Sequence, residues 1–150
     1  MVDFRDREDG DAITAQDMAA ALPELGERDI VLVRTGRDAF YEQLDYIARG
    51  PGVTAEATHW LYDRGVRVMG IDAWGWDLPL VMQAEEARRE LRPGIFWAAH
   101  QAGLRYCQIE RLVNLGALPP SGFTVACFPL RVVRGSAAPA RVVAILGGSA

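Results

Sequence analysis

The chain has 150 residues, half of them apolar and 24% charged, with a net charge of −4; this suits one globular domain and excludes the disordered and fibrous classes. All sixteen basic residues are arginine, which excludes lysine Schiff-base chemistry and the phosphate-loop lysine, and the acidic balance excludes a nucleic-acid partner. No apolar run approaches the roughly 20 residues of a membrane span, and the start is acidic where a secretory signal is basic, so the expectation is a cytoplasmic protein with no membrane contact.

After a charged opening that ends at Gly10, Thr14 followed by Asp17 forms a variant of the capping box and starts a helix expected to run to about Leu25. Ile30 to Val33, rich in β-branched residues, predicts a buried strand, and Asp38 to Ala48 predicts a helix. Thr54 caps a further helix with Ala57, Trp60 and Leu61 on one face, and Gly65 suits its left-handed stop. Val66 to Ile71 is a strand ending at Asp72, so a helix-to-strand unit occurs twice and favours an α/β fold. Leu80 to Leu91 is a helix read as acidic early and basic late. Tyr106 to Leu112, Phe123 to Val133 and Arg141 to Leu146 then read as strands. Cys107 and Cys127 sit in these apolar runs and are expected to be buried, reduced thiols.

Acid–base or metal chemistry near neutral pH points first to histidine, of which there are two. His59 lies mid-helix and reads as a surface residue. His100 follows the run Ile95, Phe96, Trp97 and precedes a strand in which Tyr106, Gln108, Glu110 and Leu112 share a face. Glu110 and Gln108 beside His100 could ligate a metal or position water; a solvated strand face with Glu110 paired to Arg105 is the plainer alternative. GIDAWGWDLP, residues 70 to 79, sets Asp72 at a strand end with Trp74, Trp76 and Asp77 beyond it. That is either an aromatic pocket wall at the carboxyl edge of a sheet or core packing with an Asp-stabilised turn.

Taken together, DGDAIT (9 to 14), DIVLVRTG (29 to 36), GPGVTAEATHWLYDRGVRVMGIDAWGWD (50 to 77), AHQAG (99 to 103) and YCQIERLVNLGALPPSGFTVACFPLRV (106 to 132) resemble the cyclase family that includes kynurenine formamidases and isatin hydrolases. The resemblance covers nearly the whole chain. It implies an α/β fold of the swivelling β/β/α kind and a manganese- or zinc-dependent hydrolase that opens an amide, N-formyl or lactam/lactone bond. Under it, His100 and Glu110 are the late catalytic and metal-site residues, while Asp72, Trp74, Trp76 and Gln108 belong to the substrate side. The family's run HxGTHxDxPxH would lie upstream of the segment matching VDFR (2 to 5), so the expected fold is incomplete at the N-terminus and the metal site partial.

Three functional classes follow: the C-terminal part of an active hydrolase, a non-catalytic relative, or a module that binds an aromatic small molecule without metal. For the first, strands left without neighbours predict self-association, with a homo-oligomer as the expected state.

Overall fold

Four short parallel strands carry the domain. In the computed structural model, which describes residues 1–147, β1 (Val2–Asp3), β3 (Ile30–Arg34), β5 (Val68–Ile71) and β6 (Cys107–Ile109) form one sheet in the order β1-β3-β5-β6. Val31 pairs with Met69, and Met69 with Gln108. The central strands β3 and β5 are apolar on both faces, as parallel strands covered on both sides must be. A second parallel pair joins β2 (Ala12–Ile13) to β4 (Gly52–Val53).

The two faces of the sheet bury different partners. Val31, Val33, Met69 and Ile71 point to one side and pack with Met18 of α1 (Ala15–Ala21) and with Ala57 and Leu61 of α2 (Ala55–Asp63). The alternate residues Ile30, Leu32 and Val68 face the other side. There they meet Leu112, Leu115 and the antiparallel ribbon of β7 (Phe123–Pro129) and β8 (Ala140–Leu146), through Phe123, Val125, Cys127 and Val142. A Cβ on Gly70 would come within 2.8 Å of both Leu32 and Leu112, so a glycine there lets this second cluster close. The layers are thus ribbon, sheet and helices: the expected β/β/α order.

Helix starts follow the sequence. Thr14 and Asp17 complete a reciprocal capping box on α1, Thr54 accepts from the Ala57 amide, and Gly65 takes φ 89° after α2. Several boundaries differ from expectation. The first helix stops at Ala21, because Pro23 cannot continue it. Residues 38 to 48 do not form an α-helix; two 3-10 turns, Arg37–Phe40 and Tyr46–Ala48, replace it. Tyr46 is the buried residue of the second turn and donates its hydroxyl to the Asp72 carbonyl at 2.9 Å, so a tertiary anchor prevails over helical periodicity.

A helix α3 (Leu80–Glu90) matches the expected span, with Arg88 and Arg89 in its last turn but no acid in its first. The strand expected over 106 to 112 contracts to β6, since Arg111 adopts φ 58°. That break turns Leu112 into the cluster with Ile109, away from the face of Glu110. Both cysteines are free, but Cys107 is exposed, because β6 is the sheet edge, and Cys127, in the ribbon strand β7, is only half-buried. His59 is exposed, as read. Among the described residues no helix is long and apolar enough to cross a membrane.

Candidate functional site

At the carboxyl edge of β5 the chain enters the loop 72 to 79, and core contacts fix both its start and its middle. Asp72, 1% exposed, accepts from the Thr35 amide (2.6 Å), the Thr35 hydroxyl (2.6 Å) and the Gly36 amide (2.8 Å). Burial pushes its carboxyl above the ordinary value, against these hydrogen bonds. Trp76 is fully buried; its indole N–H donates to the Thr58 hydroxyl at 2.9 Å, and its carbonyl accepts from the Val53 amide at 2.8 Å. Gly52 lies so near this loop that a Cβ there would sit 2.2 Å from the Leu78 nitrogen.

So anchored, the loop presents two groups to residues arriving from β6 and the segment before it. The Trp76 amide donates to Glu110 Oε1 at 2.8 Å. Asp77, with a side chain 9% exposed, accepts from the Ala99 amide (2.7 Å) and the His100 amide (3.2 Å), and its Oδ2 lies 2.5 Å from His100 Nδ1. The other ring nitrogen, Nε2, faces Glu110 Oε1 at 3.5 Å. The hydrogen bond to Asp77 is the largest influence on His100 and raises its pKa above the ordinary histidine value; burial opposes this, and Glu110 adds to it.

These side chains line a cavity of about 170 Å³ walled by Ile47, Trp74, Leu80 and Trp97, with His100 and Glu110 in it. Arg111 stacks on Trp74, 3.4 Å from the ring centroid, and Tyr46 meets the same indole edge-on. Gln83 joins the walls: its Oε1 accepts from the Trp97 amide at 2.6 Å and its Nε2 donates to the Leu78 carbonyl. A larger hollow of about 500 Å³ lies between residues 21–31 and 120–125. It contains no histidine, so the chemistry stays with the smaller cavity.

Of the residues singled out in the sequence, His100, Glu110 and Trp74 come together at the cavity. Asp72 and Trp76 lie behind it as anchors of the loop, and Gln108 donates to the Tyr106 hydroxyl at 2.5 Å and lies off the cavity wall. Burial pushes that Tyr106 hydroxyl up to about 12, and it donates in turn to the Ala99 carbonyl at 2.7 Å. Glu110 pairs with His100 and the Trp76 amide, with no bond to Arg105. Sequence reading missed two partners. Asp77 stood in the noted loop, but nothing local paired it with a histidine 23 positions on; Gln83 sits mid-helix with no distinguishing signal.

A resident metal ion can be tested against these donors. Among the described residues no three His, Cys, Asp or Glu side chains converge on a point. His100 Nε2 and Glu110 are two donors, and structural or catalytic zinc takes at least three from protein. The described side chains therefore do not by themselves fit a resident ion.

Layer order and site together define a β/β/α domain with a histidine–carboxylate cavity at the carboxyl edge of its parallel sheet. The structure of an isatin hydrolase bound to the product analogue thioisatinate shares this fold at TM-score 0.81 and 21% identity, over 98% of this chain and 58% of that one. Isatin hydrolase A from Labrenzia aggregata, bound to benzyl benzoate, matches at TM-score 0.79 and 25% identity, over 97% and 59%. A predicted metal-dependent hydrolase from Bacillus stearothermophilus matches at 0.65 and 26%, over 93% and 58%. This chain spans under two thirds of the length of each. No curated protein matches it. The family model described as "Putative cyclase" matches residues 1–78, and the chain belongs to that cyclase family.

Proposed function

We propose that this chain supplies the histidine–carboxylate part of a metal-dependent hydrolase site that opens an amide, N-formyl or lactam/lactone bond in an aromatic small molecule. The observation that carries the reading is His100 Nε2 facing Glu110 Oε1 across 3.5 Å inside a cavity walled by Trp74 and Trp97. A planar ring fits between such walls, and an imidazole there can take a proton from attacking water and return it to the leaving nitrogen or oxygen. Glu110, held by the Trp76 amide, orients that water and would offset part of the positive charge of an ion held there. The similar structures described as metal-dependent hydrolases support a divalent ion, for which we propose manganese or zinc, with further ligands from outside the described residues. An arylformamidase-like step in tryptophan breakdown, in the cytoplasm, accords with the aromatic walls. Self-association through the ribbon belongs to the same reading.

A binding module for an aromatic ligand is the second reading, favoured by the incomplete donor set. The deciding experiment measures metal content and hydrolysis of N-formylkynurenine and isatin by the purified chain with added manganese or zinc, beside His100→Ala. Metal uptake and turnover that are both lost in the variant support the hydrolase reading, with a second copy of the chain supplying the ligands that the described side chains lack. Metal-independent binding of the aromatic compound without turnover would establish the binding module instead.

A further inference from the structure

Asp77 and Trp76 are neighbours, yet each reaches a different member of the site: the Trp76 amide holds Glu110 and the Asp77 carboxylate holds His100. We infer that Asp77 is a positioning residue which accepts a hydrogen bond from the Nδ1–H of neutral His100, fixes its tautomer and so presents the Nε2 lone pair to the cavity. The inference rests on the proposed hydrolase reading only for what that lone pair then does.

The geometry leaves the ring little choice. Asp77 Oδ2 lies 2.5 Å from Nδ1, and an ionised carboxylate offers only acceptors, so the proton between them belongs to the imidazole. Nε2 faces the second carboxylate from 3.5 Å, beyond direct hydrogen-bond distance. The two carboxylates therefore compete unequally for the single ring N–H, and the nearer one accepts from it. Asp77 is also fixed in place: its oxygens accept from the Ala99 and His100 amides, which ties the ring to the loop through its own backbone. Such an outer carboxylate sets which imidazole nitrogen is free to accept a proton or bind a metal.

A purely structural role competes with this one, because the same carboxylate caps the turn at 99 and 100. Asp77→Asn separates the two. The asparagine Oδ1 still accepts from the Ala99 amide, but its NH₂ now meets Nδ1 as a donor, which makes Nδ1 the acceptor and moves the proton to Nε2.

The experiment reads long-range ¹⁵N–¹H couplings of the His100 ring in alkaline solution, where the ring is neutral, with the exposed His59 replaced by Gln to leave one imidazole. Expected is the Nδ1–H tautomer in His59→Gln and its reversal to Nε2–H in His59→Gln/Asp77→Asn, with the Ala99 amide still slow to exchange. Unchanged tautomers in the two chains would overturn the inference and leave Asp77 a turn cap. If the double variant does not fold, the His59→Gln chain alone decides, because a dominant Nε2–H form there overturns the inference. No metal or substrate enters the measurement, so a chain that binds no ion sinks the hydrolase reading and leaves this result standing.

Discussion

The loop 72 to 79 and the ribbon β7–β8 are both attached to the central sheet, yet they are held by different means. The loop is fixed by directional hydrogen bonds from Thr35 to Asp72, from the Trp76 amide to Glu110 and from its indole to Thr58, and its large side chain, Trp76, is wholly buried. The ribbon rests one face on Leu32, Ile109, Leu112 and Leu115 and leaves the other in solvent, where Ile145 is 56% and Phe128 65% exposed. Directional bonds fix geometry to within fractions of an ångström, whereas apolar contact fixes only proximity. The site is built on the first kind of support, and the surface available for association on the second.

Each part of this contrast can be broken separately. Trp76→Ala should have the largest effect, about 4 kcal/mol of stability from the lost side chain and its cavity, measured by denaturant unfolding; a loss as small as that of a surface substitution would mean that the loop is not anchored in the core. Asp72→Asn keeps an acceptor for Thr35 but turns its NH₂ toward the Gly36 amide, a donor facing a donor, and should cost about 2 kcal/mol, read in the same way.

Thr14→Ala removes a cap and should cost about 1 kcal/mol. The Thr14 hydroxyl and amide hold the Asp17 carboxyl below its ordinary value, against burial and with help from Arg7. A depressed carboxylate contributes stability above its unfolded pKa and loses it as pH falls through the folded one. The gap between Thr14→Ala and the parent should therefore be full above about pH 4 and shrink under more acid conditions, a trend that melting curves across that range will check. Ile145→Thr, on the outer ribbon face, should change stability by less than about 0.5 kcal/mol while it weakens self-association in sedimentation. An unchanged association state would remove the ribbon as the interface.

How much of this was legible depended on the range of the interaction. Thr14–Asp17 and Thr54–Ala57 are contacts across three residues, so spacing alone announced them. The apolar runs Ile30 to Val33 and Val66 to Ile71 likewise announced β3 and β5 as strands. Residues 38 to 48 misled because the 3-10 turns there answer to Tyr46 and Asp72, 26 positions apart. At the site, His100 and Glu110 were reached through family resemblance, and Trp74 through its place after a strand. Asp72 and Trp76 shared that loop, and no local pattern distinguished side chains facing the cavity from those facing Thr35 or Thr58. The reversal at Arg111, a left-handed non-glycine residue, likewise had no sequence signal and ended the expected strand early.

Gly52 carries a consequence for anyone who would reshape this cavity. It lies outside the wall, in β4, but the Leu78 backbone rests directly on it. Even alanine at 52 would push the Asp77–Pro79 rim, and a library that varies this glycine would sample displaced loops instead of new specificities. Ile47 and Leu80, partly open to solvent at the mouth, are the places where side-chain size can change while the frame stays fixed.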